Sequence, residues 1–150
     1  MSHTYSKLVA HCVFSTKGRR SLITSELRPR LHAYLGGIVR EQGAHMIACG
    51  GTADHVHMFV QLPAGAAIAD MMRVVKACST KWVHETFPSL ASFAWQTGYA
   101  AFSVSASGVQ DVRSYVEEQE VHHRTRTFEE EFVLFLRRHG VDYDERYLWG

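Results

Sequence analysis

The stretch ADHVHMFVQL, Ala53 to Leu62, decides how the chain is read. It is an apolar run interrupted by two histidines. As a strand, strict alternation puts Val56, Met58, Val60 and Leu62 on one face and His55, His57, Phe59 and Gln61 on the other. The two imidazoles then point the same way, about 7 Å apart along the strand. Two readings stand side by side. Both rings are buried and satisfied by hydrogen bonds, or they converge on an ion, since neutral imidazole is a common metal ligand. Asp54 beside them favours neither reading alone.

Composition narrows the field. With 150 residues and 46% hydrophobic content, the chain has the size of one globular domain with a real core. A net charge of +1 says little about partners, but Lys17, Arg19 and Arg20 cluster near the start, and Arg73, Lys76 and Lys81 recur later. Cys12, Cys49 and Cys78 are odd in number and form no CxxC pair, which argues against a disulfide framework or a cysteine zinc site. No apolar run approaches the roughly 20 residues of a membrane span. The expectation is a soluble cytoplasmic protein, with residues 1–150 forming a single domain.

Working outward, YSKLVAHCVFSTK reads as a first strand. Leu27, Leu31, Tyr34, Leu35 and Ile38 recur at helical spacing until Gly43. AHMIACGG precedes the histidine strand as another strand. From Ile68 to Trp82, the residues Met71, Met72, Val75 and Cys78 form one helical stripe, with Arg73, Lys76 and Thr80 on another face. AWQTGYAAFSVS predicts a hairpin-like pair of short strands around Thr97 and Gly98. A helix follows from about Val109 to Arg124. Thr127 and Glu130 then have capping-box spacing before a helix carrying Phe128, Phe132, Phe135 and Leu136. The element order is that of an α+β fold.

On the helix from Val109, Tyr115 and Gln119 are four residues apart and share a face with Val112 and Val116. Tyrosine is a poor nucleophile near neutral pH because its pKa is about 10, but it suits attack on a phosphodiester polarised by a metal. The Gln119 side chain offers an oxygen ligand for a hard divalent ion. A histidine-triad hydrolase would need a third alternate histidine where Phe59 stands, and a two-histidine phosphoesterase would need a second His-x-Thr/Ser strand. A three-histidine zinc lyase or hydrolase stays open, with His11, His84, His122 and His123 available.

From VFSTKGRR through DHVHMFV and GYAAFSVS to YVEEQEVHHR and DERYLW, the chain resembles the single-tyrosine HUH (His-hydrophobic-His) transposases of the smallest insertion sequences, which move as single-stranded DNA. The resemblance covers nearly the whole chain. One departure is Ala53, where many relatives carry proline before Asp-His. The resemblance implies a ferredoxin-like antiparallel sheet with helices on one face and the tyrosine-bearing helix on the site face. It implies His55, His57 and Gln119 as ligands of Mg²⁺ or Mn²⁺ and Tyr115 as the nucleophile that becomes joined to a 5′ phosphate.

It also implies single-stranded DNA with hairpins at the element ends as partner, and a homodimer in which one subunit's tyrosine helix serves the other's histidines. Gly108 is a candidate pivot for that exchange. Lys17, Arg19, Arg20, Arg73 and Lys76 are the candidate phosphate contacts. The rival from the same lineage is a non-catalytic or domesticated nucleic-acid-binding relative.

Overall fold

The computed structural model describes residues 3–149. Strands β1 (Leu8–Ser15), β2 (His45–Gly51), β3 (His55–Leu62) and β4 (Ala100–Ser103) form one antiparallel sheet in the order β2-β3-β1-β4. Helix α1 (Leu27–Glu41) joins β1 to β2, and α2 (Ile68–Thr86) joins β3 to β4. This βαββαβ order with those strand neighbours is the ferredoxin-like fold that the resemblance implied.

Alternation along the two central strands separates two cores. Ala10, Cys12, Phe14, Val56, Met58 and Val60 face α1 and α2, meeting Leu31, Leu35, Met72 and Val75. Val9, Val13 and Phe59 face the other way, where α3 (Val109–Glu117), α4 (Gln119–His122) and α5 (Phe128–Arg138) lie. Helix α5 covers β1 and β4 by packing Phe128, Phe132 and Leu136 against Val13, Ala100 and Phe102. The histidine strand is therefore central and covered on both faces.

Several sequence expectations are corrected. Residues 94–105 do not fold back on themselves: Trp95 bridges Thr16, and β4 pairs with β1, so this segment follows the first strand. Cys78 is exposed, and Ser79 takes its place in the buried stripe of α2. The Ser79 hydroxyl donates to the Val75 carbonyl at 2.6 Å and accepts from the Trp95 indole at 2.9 Å. The helix expected over 109–124 breaks at Glu118, whose φ of −105° and ψ of 29° separate α3 from α4. Gly108 has ordinary right-handed helical angles, which any residue adopts, so its backbone gives no support to a pivot.

Half of the expected capping box forms: Thr127 Oγ1 accepts from the Glu130 amide at 3.2 Å, while the Glu130 carboxylate takes the Thr127 hydroxyl at 3.1 Å rather than the Thr127 backbone amide. Tyr115 is held over the sheet by a close approach. The Val116 carbonyl oxygen lies 1.8 Å from where a Cβ on residue 50 would sit, so α3 rests directly on the backbone of Gly50 in β2.

Candidate active site

Strand β3 presents His55 and His57 to one face, as alternation requires, with ring centroids 5.1 Å apart and no solvent exposure. Each ring is held by a different neighbour. His55 Nδ1 bonds to Asp54 Oδ1 at 2.8 Å, and His57 Nδ1 lies 2.7 Å from Nε2 of His11 on β1. Both Nε2 atoms face α3, α4 and α5. His55 Nε2 lies 3.0 Å from Gln119 Oε1, and His57 Nε2 lies 2.9 Å from Glu131 Oε1.

The helix break at Glu118 does not separate Tyr115 from Gln119. The Tyr115 hydroxyl donates to Glu131 Oε2, and Gln119 Nε2 donates to the Tyr115 carbonyl at 3.3 Å. Tyr115 also stacks on His122 with centroids 4.3 Å apart. His123 Nε2 lies 3.1 Å from Gln119 Oε1 and 3.2 Å from Glu131 Oε1. His55, His57, His123 and Glu131 each offer a ligand atom, all within 4.8 Å of one another. A cluster of nitrogen and oxygen donors buried at this spacing fits a divalent cation.

Electrostatics follow from burial and from the carboxylate. Burial lowers His57 to about 4 and His11 to about 3, with Glu131 opposing the shift in both cases. Burial would raise Glu131, but hydrogen bonds from His123 and His57 hold it far below the usual carboxylate range. The same carboxylate overcomes the effect of burial on His123 and raises its pKa. For Tyr115, burial first and then the hydrogen bond and charge of Glu131 push the phenol above its ordinary 10. The hydroxyl is therefore neutral at physiological pH.

Glu131 is the neighbour that the sequence did not single out, whereas His11 and His123 were named only as possible ligands of a histidine-only site. His11 was readable: alternation in β1 puts it on the face of Val9 and Val13, and Val13 pairs with His57. Glu131 sits in an acidic run, Glu129 to Glu131, that resembles an ordinary helix first turn. Of the other histidines considered, His84 is remote from the cluster and bonds to the Phe93 carbonyl at 2.8 Å.

The five basic candidates scatter. Lys17, Arg20 and Arg73 are exposed, and Arg73 lines a groove between α2 and residues 94–99 with Lys81 and Thr80. Arg19 pairs with Glu129 at 3.0 Å and lies over the Trp149 ring. Lys76 donates to the carbonyls of Gln96 at 2.8 Å and Thr97 at 3.2 Å, and burial lowers its pKa to about 8. Basic residues beside the histidine cluster come from elsewhere: Arg28, Arg124 and Arg126 border a cleft that reaches His123 and Asp54.

Residues 4–119 match the protein family described as "Transposase IS200 like". The chain belongs to that family. Among relatives of this transposase, the ISDra2 transposase TnpA of Deinococcus radiodurans is 24% identical over 118 residues, covering 75% of this chain and 84% of the relative. The transposase for insertion sequence element IS200 of Salmonella typhimurium is 24% identical over 125 residues, covering 79% and 81%. A crystal structure of a D. radiodurans R1 protein described as a transposase superposes with a TM-score of 0.64 at 22% identity, covering 79% of this chain and 95% of that one. A REP-associated tyrosine transposase bound to a REP hairpin superposes with a TM-score of 0.62 at 17% identity, covering 82% and 73%. Both likenesses are of fold. The family match ends at Gln119, so His123 and Glu131 lie beyond it.

Proposed function

We propose that this transposase cleaves and rejoins single-stranded DNA through a covalent link between Tyr115 and a 5′ phosphate, with a divalent metal held by His55, His57 and Gln119. The observation that carries the reading is the placement of the Tyr115 hydroxyl against a buried donor cluster that contains the histidine pair. The metal would supply charge stabilisation to the scissile phosphate.

The chain's own groups do the rest. Stacking on His122 and the bond to Glu131 fix the Tyr115 ring and aim its oxygen. As the Tyr115 oxygen bonds to phosphorus, the bond from phosphorus to the 3′ oxygen breaks. The phenol loses its proton, and the 3′ oxygen leaves as a hydroxyl after gaining one. The phosphotyrosine retains an ester, so attack by another strand's 3′ hydroxyl reverses the step without an energy source. Arg124 and Arg126 at the cleft, with Lys17, Arg20 and Arg73 elsewhere, are the proposed contacts to backbone phosphates, while Arg28 at the same cleft is paired with Glu120 at 2.5 Å. DNA hairpins at element ends are the proposed substrate, in line with the hairpin bound by the REP-associated relative.

One chain already brings Tyr115 to its own His57, with ring centroids 6.0 Å apart. This geometry supports a site complete in cis, within either a monomer or a homodimer, in place of the exchanged tyrosine helix that the family resemblance implied.

The test is incubation with labelled single-stranded DNA carrying the element ends, with Mg²⁺ or Mn²⁺, followed by denaturing electrophoresis. A metal-dependent adduct carrying the DNA downstream of the break supports the reading. Hairpin binding with no adduct in either metal would instead identify a non-catalytic relative.

A further inference from the structure

The proposed chemistry leaves two inward donors without a role, His123 Nε2 and Glu131 Oε1. Their spacing argues for one. Glu131 Oε1 lies 2.9 Å from His57 Nε2, 3.2 Å from His123 Nε2 and 3.7 Å from His55 Nε2. Gln119 Oε1 lies 3.0 Å from His55 Nε2 and 3.1 Å from His123 Nε2. Bonds of about 2.1 Å to a common ion put neighbouring ligands about 3.0 Å apart in an octahedron. Four of these five separations lie close to that ligand spacing.

Their hydrogen-bond partners point the same way. Asp54 Oδ1 at 2.8 Å and Thr52 Oγ1 at 3.2 Å engage Nδ1 of His55, so Nε2 is the ring nitrogen turned to the cluster. That nitrogen faces the amide oxygen of Gln119, whose amide nitrogen donates to the Tyr115 carbonyl at 3.3 Å. Nε2 of His55 and Oε1 of Gln119, buried and 3.0 Å apart, are thus turned towards the same small volume, where one cation would take both.

We infer that the ion shell has five protein donors, His55, His57 and His123 through Nε2 and Gln119 and Glu131 through Oε1, and that its three imidazoles select a first-row transition ion over Mg²⁺. Imidazole suits transition ions, whereas Mg²⁺ favours oxygen ligands and retained water. This deepens the proposed active site and rests on its assignment of His55, His57 and Gln119 as ligands. Five donors leave one octahedral position for a substrate oxygen. The second oxygen of Glu131 holds the Tyr115 hydroxyl, so one carboxylate sets the distance between ion and nucleophile. Helix α5 thereby becomes part of the site, which explains why its first turn is buried at Glu131 while Glu130 beside it is exposed.

The full chain, without DNA, is titrated with Mn²⁺ while electron paramagnetic resonance counts the free ion, and Mg²⁺ is then added as competitor. The expected result is one tight Mn²⁺ site that Mg²⁺ at equal concentration does not empty. Glu131→Gln and His123→Gln should each weaken Mn²⁺ binding by roughly tenfold or more, while Glu130→Gln leaves it unchanged. Circular dichroism checks each fold, and Glu131→Asp, which keeps the charge but shortens the reach, should also weaken the site.

Unchanged Mn²⁺ affinity in folded Glu131→Gln would overturn the inference, as would Mg²⁺ binding as tightly as Mn²⁺, or no bound ion at all. The adduct assay is separate. An adduct alongside unchanged affinity in Glu131→Gln sinks only the five-donor shell, whereas a tight Mn²⁺ site without any adduct sinks only the transposition chemistry.

Discussion

His11 Nε2 lies 2.7 Å from His57 Nδ1, and the two rings stack with centroids 4.9 Å apart. A strand-to-strand contact thus orients a proposed ligand from behind, as partners of ligating histidines commonly do. His11→Phe should keep the stacking volume and lose the hydrogen bond. The expected outcome is Mn²⁺ affinity reduced by roughly tenfold to a hundredfold, with partial recovery in His11→Asn, which restores a polar partner. Equal affinities in wild type and His11→Phe would reduce His11 to a packing residue.

Removing only the Tyr115 hydroxyl separates chemistry from binding. Tyr115→Phe should give no covalent adduct while hairpin DNA still binds with near wild-type affinity. It also leaves Glu131 Oε2 without its partner, so urea denaturation should show a loss of about 1–3 kcal/mol. An adduct formed by the variant would assign the nucleophile elsewhere.

Gly50 tests how α3 is seated. A methyl group there would start 1.8 Å from the Val116 carbonyl oxygen, and backbone on both sides of the contact has to shift. Gly50→Ala should cost more than about 2 kcal/mol and reduce adduct formation, because Tyr115 precedes Val116 on the displaced helix. A variant with unchanged stability and activity would show that α3 has other seats on the sheet.

What the sequence revealed depends on how local each cause was. The strand from His55 to Leu62 was readable end to end because period-two alternation is intrinsic to the segment. The break at Glu118 was hidden, since no glycine or proline marks it and the contact of α3 with Gly50 is distant in sequence. Ser79 displaced Cys78 from the core because its hydroxyl finds Trp95, a residue 16 positions away. The histidine pair and Tyr115 were legible through their spacing. Glu131 was not, because only the docking of α5 on β1 and β4 turns one glutamate of three inward.

The buried histidines predict acid sensitivity in metal-free protein. His57 falls to about 4 and His11 to about 3 from an ordinary 6.5, chiefly through burial. Between 6.5 and those values the unfolded chain binds more protons than the folded one. The stabilising contribution is therefore complete above the unfolded pKa and is lost as pH drops towards 4, at up to about 1.4 kcal/mol per pH unit for each histidine. Urea midpoints across this window should fall steadily, and His11→Gln should flatten the slope. An unsloped profile would mean that these rings take up protons without opening the fold.

The last prediction concerns which subunit completes the site. Tyr115, Gln119 and Glu131 reach His55 and His57 within one chain, through contacts as close as 2.9 Å between His57 and Glu131. If the active form keeps this arrangement, His57→Ala and Tyr115→Phe subunits mixed under exchanging conditions each carry one defect per site, and no cleavage returns. If the tyrosine helix crosses to a partner, each mixed dimer has one site with both defects and one with neither, so cleavage recovers. The mixture is assayed on hairpin DNA after mass measurement establishes whether mixed dimers have formed. Absence of cleavage in confirmed mixed dimers supports the cis site, and so does a chain that stays monomeric yet forms the adduct. Recovered cleavage would show that α3 and α4 leave their own sheet in the working enzyme, taking Gln119 with them, while Glu131 stays behind or follows on α5.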